Sequence, residues 1–166
     1  FFNTVVYFRG VNVSDPDIQA QMFKYVDELA DLPAVSNPPE NFWLRDFADY
    51  VNSNTTVAGL SFEDQLDEFL ETKEGKQYKP HISRDENGGV KASRTFVLFD
   101  QVSLIDVKPQ LEAMEGQLAV TNAQPLNAGH DEGPFFTFGL LYPTWELFMV
   151  ILGAILSNLV LGLVCV

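Results

Sequence analysis

Along the first 146 residues the apolar positions switch between two periods, and after that the alternation ceases. Thr4-Val5-Val6-Tyr7-Phe8 is β-branched and aromatic and is bounded by Arg9-Gly10, which predicts a buried strand. In VSDPDIQAQMFKYVDELADLP the period lengthens. Asp15 suits an N-cap and Pro16 the first helical position, while Ile18, Met22, Val26 and Leu29 fall on one stripe until Pro33 forbids continuation. The SNPPE segment, residues 36–40, reads as an extended linker, because two prolines remove donors and restrict the residues before them. Beyond it, NFWLRDFADYV places Trp43, Phe47, Tyr50 and Val51 on one helical face and spaces Arg45 and Asp49 as an i, i+4 ion pair on another. SFEDQLDEFLE predicts a short helix with Ser61 and Asp64 in capping-box positions and Leu66, Phe69 and Leu70 facing inward. The charged, aperiodic residues 72–89 read as an exposed loop.

SRTFVLF, residues 93–99, predicts a second strand. Asp106 then caps a helix that tolerates Pro109 in its first turn and keeps Leu104, Val107, Leu111, Met114 and Leu118 in helical period. Gly116 costs that helix about 1 kcal/mol. PFFTFGLL, from Pro134, predicts a third strand leading through YPTWE into LFMVILGAILSNLVLGLVCV. Those last twenty residues hold no charge, and only Ser157 and Asn158 are polar. At 1.5 Å per residue they cover the roughly 30 Å hydrocarbon core of a bilayer. A buried core helix is usually shorter and keeps a polar face, so the expectation is a transmembrane helix. Tyr142 and Trp145 then fall at the membrane interface as an aromatic belt, with Glu146 the last charge before lipid.

The order strand, helix, helical insertion, strand, helix, strand, membrane helix predicts an α+β fold: a ferredoxin-like α/β sandwich with an insertion over about residues 36–89. The expected division is a domain of residues 1–141 followed by a membrane helix of residues 142–166.

Charge sharpens this picture. The formal net charge is −13, and every Lys, Arg, Asp and Glu lies at or before Glu146, so an acidic module precedes an apolar tail. Such a module repels a phosphate backbone, and nucleic acid is not an expected partner. Asn12-Val13-Ser14 and Asn54-Thr55-Thr56 are N-glycosylation acceptors that favour a luminal or extracellular face. The single cysteine, Cys165, falls in the apolar tail and says nothing of redox compartment. GxSxG, P-loop and GxGxxG motifs are absent, the two histidines, His81 and His130, lie far apart, and no HExxH spacing occurs. No catalytic residue, cofactor or metal site is therefore expected, and the chain does not read as an enzyme. FFNTVVYFRG carries no basic leader, and the apolar tail has no charged flank beyond it, so the chain reads as a fragment of a longer membrane protein.

The succession VVYFRGVNVSD, NPPENFWLRDFADYV, RTFVLFDQVSLIDVKPQLEAM and FFTFGLLYPTWELFMVI resembles the second large extracytoplasmic domain of Patched and Niemann-Pick type C-like proteins, within the resistance-nodulation-division permease superfamily. The resemblance covers nearly the whole chain, and the order of its motifs carries it. Many animal relatives have disulfide-rich insertions that this chain lacks. The resemblance implies a porter-like domain of a multi-pass transporter that moves sterols, lipids or other hydrophobic molecules, with the bilayer and other domains of the same polypeptide as partners. On that view the aromatic helix of Phe42, Trp43 and Phe47 lines the substrate route. The competing expectation is a single-pass ectodomain, acting as a receptor or adhesion module tethered by the final helix.

Overall fold

The computed structural model describes residues 2–35, 41–99, 102, 105–130 and 132–164. The linker at residues 36–40, Leu104 and Cys165 lie outside the described residues. The architecture is α+β, with strands β1 (Phe2–Arg9), β2 (Ile82–Arg84), β3 (Val90–Phe99) and β4 (Phe135–Gly139). The helices are α1 (Pro16–Ala30), α2 (Trp43–Ser53), α3 (Phe62–Glu71), α4 (Val107–Asn122) and α5 (Tyr142–Val164). The strands form one sheet in the order β2-β3-β1-β4, and every neighbouring pair is antiparallel.

The caps expected from sequence form. Asp15 accepts from the Asp17 amide at 2.9 Å and Asp106 from the Lys108 amide at 3.1 Å. Ser61 Oγ accepts from the Asp64 amide at 3.2 Å and donates to the Asp64 carboxylate at 2.8 Å. Each satisfies a backbone donor that the first helical turn leaves open.

Side chains alternate across the sheet as strand geometry requires. Thr4, Val6 and Phe8 of β1, Thr95, Val97 and Phe99 of β3, and Phe135 of β4 are buried on one face. The helical layer supplies Met22, Tyr25, Val26 and Leu29 from α1, Trp43, Leu44 and Phe47 from α2, and Leu66 and Phe69 from α3 to the same core. On the other face Tyr7 stacks on Phe136 at 4.9 Å, and the Arg9 and Arg94 guanidiniums lie over Phe136 and Phe96.

Two expectations are corrected. Residues 72–89 are not an exposed loop: Gly75–His81 form a 3₁₀ turn and Ile82–Arg84 the edge strand β2, so the insertion closes before β2 and the sheet has four strands. Tyr78, only 1% exposed, anchors the turn by stacking on Phe69 and donating to Asp46. Gly75 is required there, since a Cβ would lie 1.9 Å from the Phe69 carbonyl oxygen. A single buried aromatic amid charges gives no period, which is why pattern alone misses it. The second correction is Arg45, which pairs not with Asp49 but with Asp27 of α1 at 2.6 Å, tying α2 to α1.

Candidate functional site

The polar chemistry that the described residues bury most completely lies where α5 leaves the sheet. β4 ends at Gly139, and α5 starts at Tyr142. Tyr142 is 5% and Trp145 3% exposed, and with Met114 they form a small apolar cluster separate from the main core. The Tyr142 hydroxyl donates to Gln117 Oε1 and lies 3.3 Å from Thr137 Oγ1, while Trp145 Nε1–H donates to Gln110 Oε1 at 2.7 Å. Gly139 makes room for the Tyr142 ring, because a Cβ would come within 2.7 Å of it.

One face of α4 organises these bonds. Gln110, Gln117 and Thr121 are all buried, at i, i+7 and i+11. Thr121 Oγ1 donates to the Gln117 carbonyl at 2.8 Å and takes the Tyr25 hydroxyl at 2.6 Å. A polar seam therefore runs from α1 through α4 to the first turn of α5. Burial pushes the Tyr25 phenol well above its ordinary pKa, so it stays a neutral donor. Leaving the buried Tyr142 hydroxyl or Trp145 indole N–H without an acceptor is costly, so the seam also fixes the register of α5 against α4.

This seam differs from the helical period expected of α4: Leu111 and Leu118 are only partly buried, and the glutamines lie inside. The legible signal was two glutamines one heptad apart beside Met114. Tyr142 and Trp145, expected at the headgroups, have their rings against α4. The described side chains from Leu147 to Leu163 are exposed and, Ser157 and Asn158 apart, apolar, and Tyr142–Leu163 is long and apolar enough to cross a membrane.

The aromatic helix α2 also turns inward. Phe42, Trp43 and Phe47 are 2%, 0% and 4% exposed. Phe42 packs on Phe8 and Phe23, and Phe47 on Phe62 and Phe69. Lining a route with these side chains would require α2 to part from the sheet.

The two glycosylation acceptors share one geometry. Ser14 Oγ donates to Asn12 Oδ1 at 2.7 Å and Thr56 Oγ1 to Asn54 Oδ1 at 2.6 Å, with the Ser14 and Thr56 amides bonded to the same oxygens. Asn12 is exposed and Asn54 half-buried, both in turns. His81 begins β2's approach and accepts a bond from Arg94 Nε at 3.1 Å, while His130 is exposed on the loop before β4. Among the described residues no three His, Cys, Asp or Glu side chains gather as metal ligands.

The arrangement makes the first turn of an apolar helix part of the folded domain. No protein-family model and no curated protein matches this chain.

Proposed function

We propose that this chain is an extracytoplasmic domain, with the membrane helix that follows it, of a multi-pass transporter of the Patched and resistance-nodulation-division type that moves sterols, lipids or other hydrophobic molecules. The observation that carries this reading is where the chain joins and leaves the sheet. Thr4, near the start of β1, pairs with Gly139 at the end of β4, three residues before α5 begins. A sheet in which β1 enters directly beside the strand that feeds α5 suits a module hung between two spans. A tethered ectodomain with a free N-terminus has no such requirement.

The sheet order supports the finer fold assignment. β1 and β2 run in the same direction with β3 antiparallel between them and β4 on the far side of β1, which is the split β-α-β pattern of a ferredoxin-like sandwich. In this reading α2 and α3 are the insertion, carried in the crossover from β1 to β2. The acceptor turns at Asn12, which is exposed, and Asn54, which is half-buried, support a luminal or extracellular face. The domain acts as a rigid paddle rather than an enzyme, and its partners are the bilayer, a sterol or lipid substrate, and other domains of the same polypeptide. Nucleic acid is not among them, given the acidic charge.

The test uses the complete polypeptide in proteoliposomes. The expected outcome is a set of further membrane spans before Phe1 and saturable cross-linking of a photoreactive sterol or lipid that an excess of unlabelled compound displaces. A polypeptide whose only span is α5, behind a signal peptide, would return the reading to a tethered receptor.

A further inference from the structure

Where β1 begins and β4 ends, a cavity of 380 Å³ opens beside the first turn of α5. Thr4, Leu141, Tyr142 and Trp145 form its wall, with Asn3 and Leu140 beside them. The register explains the space. Thr4 pairs with Gly139, the chain turns through Leu140 and Leu141, and the helix starts at Tyr142, so the sheet end, the turn and the helix root enclose it. Its volume is that of small-molecule sites, which are apolar concavities with a few polar groups. The Tyr142 hydroxyl is already engaged with Gln117, while the Asn3 side chain is exposed and Leu140 is 83% exposed at the mouth.

Position along α5 sets the depth of this cavity. At about 1.5 Å per residue, Trp145 stands about 3 Å and Tyr142 about 7.5 Å before Leu147, where the uncharged stretch begins. The polar layer on each side of the hydrocarbon core is on the order of 5–8 Å thick. With α5 read as a span, the cavity therefore lies at the level of lipid headgroups and glycerol backbones. The exposed apolar surface of Leu147, Phe148 and Val150 continues directly from the Trp145 wall, on the same helix and without a linker.

We propose that this cavity is a phospholipid site, taking the glycerol ester region and first methylenes of one bilayer lipid against Leu140, Leu141 and Trp145, with the Asn3 carboxamide donating to an ester carbonyl. The occupant is a lipid of the membrane that α5 crosses, because the cavity is continuous with the surface that membrane covers. A zwitterionic lipid fits better than an anionic one: no Lys or Arg lines the cavity among the described residues, and the next charge along α5 is the exposed Glu146. The proposal rests on reading α5 as a membrane span and is independent of whether the domain serves a transporter.

The experiment reconstitutes the chain in phosphatidylcholine nanodiscs doped with one of three photoreactive probes: phosphatidylcholine with a diazirine near the top of an acyl chain, phosphatidylcholine with the diazirine at the chain end, or a diazirine sterol. Labelled residues are mapped by tandem mass spectrometry. Glu86, exposed in the turn before β3 at the end of the sheet where Arg9 pairs with Ala92, gives the water baseline, and Leu156 reports the span. The expected result is labelling of Asn3 and of Leu140 to Trp145 by the first probe, well above Glu86, with the chain-end probe marking Leu156 instead. Leu140→Ser is expected to keep the melting temperature and lower the labelling of Asn3 and Leu141 several-fold, while Leu60→Ser, at an exposed leucine between α2 and α3, leaves it unchanged. Labelling confined to Leu147 and beyond, or undiminished in Leu140→Ser, overturns the site and leaves the span intact. Labelling of the cavity by the sterol and not by phosphatidylcholine overturns the phospholipid as occupant. Absence of labelling at Leu156 by the chain-end probe overturns the span and the site with it.

Discussion

Trp145 donates its indole N–H to Gln110 Oε1 at 2.7 Å, and neither side chain is more than 7% exposed. This single bond joins the first turn of the apolar helix to the first turn of α4, so its loss is felt in both. Gln110→Leu removes the acceptor and leaves a buried donor, with an expected cost of about 1–3 kcal/mol in stability. Denaturant unfolding in detergent checks this, and a loss below a few tenths of a kcal/mol would mean that the indole finds water instead.

Gly139 tests the close approach beneath Tyr142. Gly139→Ala places a methyl 2.7 Å from the Tyr142 ring, which its buried hydroxyl bonds hold in place, and is expected to cost about 1–3 kcal/mol through overpacking. Gly59→Ala is the control, since its Cβ meets open space and the expected change is within about 0.5 kcal/mol. Equal effects in the two variants would show that the ring moves aside freely.

Trp43 distinguishes a core side chain from a route-lining one. With no exposed surface and Phe47 beside it, Trp43→Ala should destabilise the domain by about 3–5 kcal/mol. A variant that keeps the parent's unfolding midpoint would place the indole outside the packed interior.

His81 gives the domain a pH dependence with a defined sign. Its pKa is held below the ordinary histidine value, first by desolvation and then by the Arg94 charge that faces Nδ1. The unfolded chain therefore takes up the proton first as pH falls. The contribution is fully present above about pH 6.5 and is lost as pH drops below that through the lowered native value. Unfolding measurements from neutral pH down to about pH 5 should show a shallower loss in His81→Phe than in the parent. Parallel curves would remove His81 from the account.

Local chemistry decided much of the molecule without help from its fold. Asp15-Pro16, Ser61 and Asp106 start helices because a short oxygen-bearing side chain can take the amide donors a first turn leaves free, whatever surrounds it. β1 and β4 are legible because β-branched and aromatic runs suit a half-buried pleat, and the apolar stretch after Glu146 is legible because nothing in it can pay for exposure to water.

What the sequence could not settle was decided by partners distant along the chain. Arg45 reaches Asp27 rather than the Asp49 on its own helix because α1 packs beside α2, and β2 exists because Tyr78 finds Phe69 and Asp46 to bury against. Gln110 and Gln117 turn inward although leucines flank them, since only in the assembled fold do Trp145 and Tyr142 arrive to donate to their side-chain carbonyl oxygens. Composition and periodicity register how much a side chain avoids water; whether a polar group is buried depends on the hydrogen-bond partner that tertiary packing delivers to it.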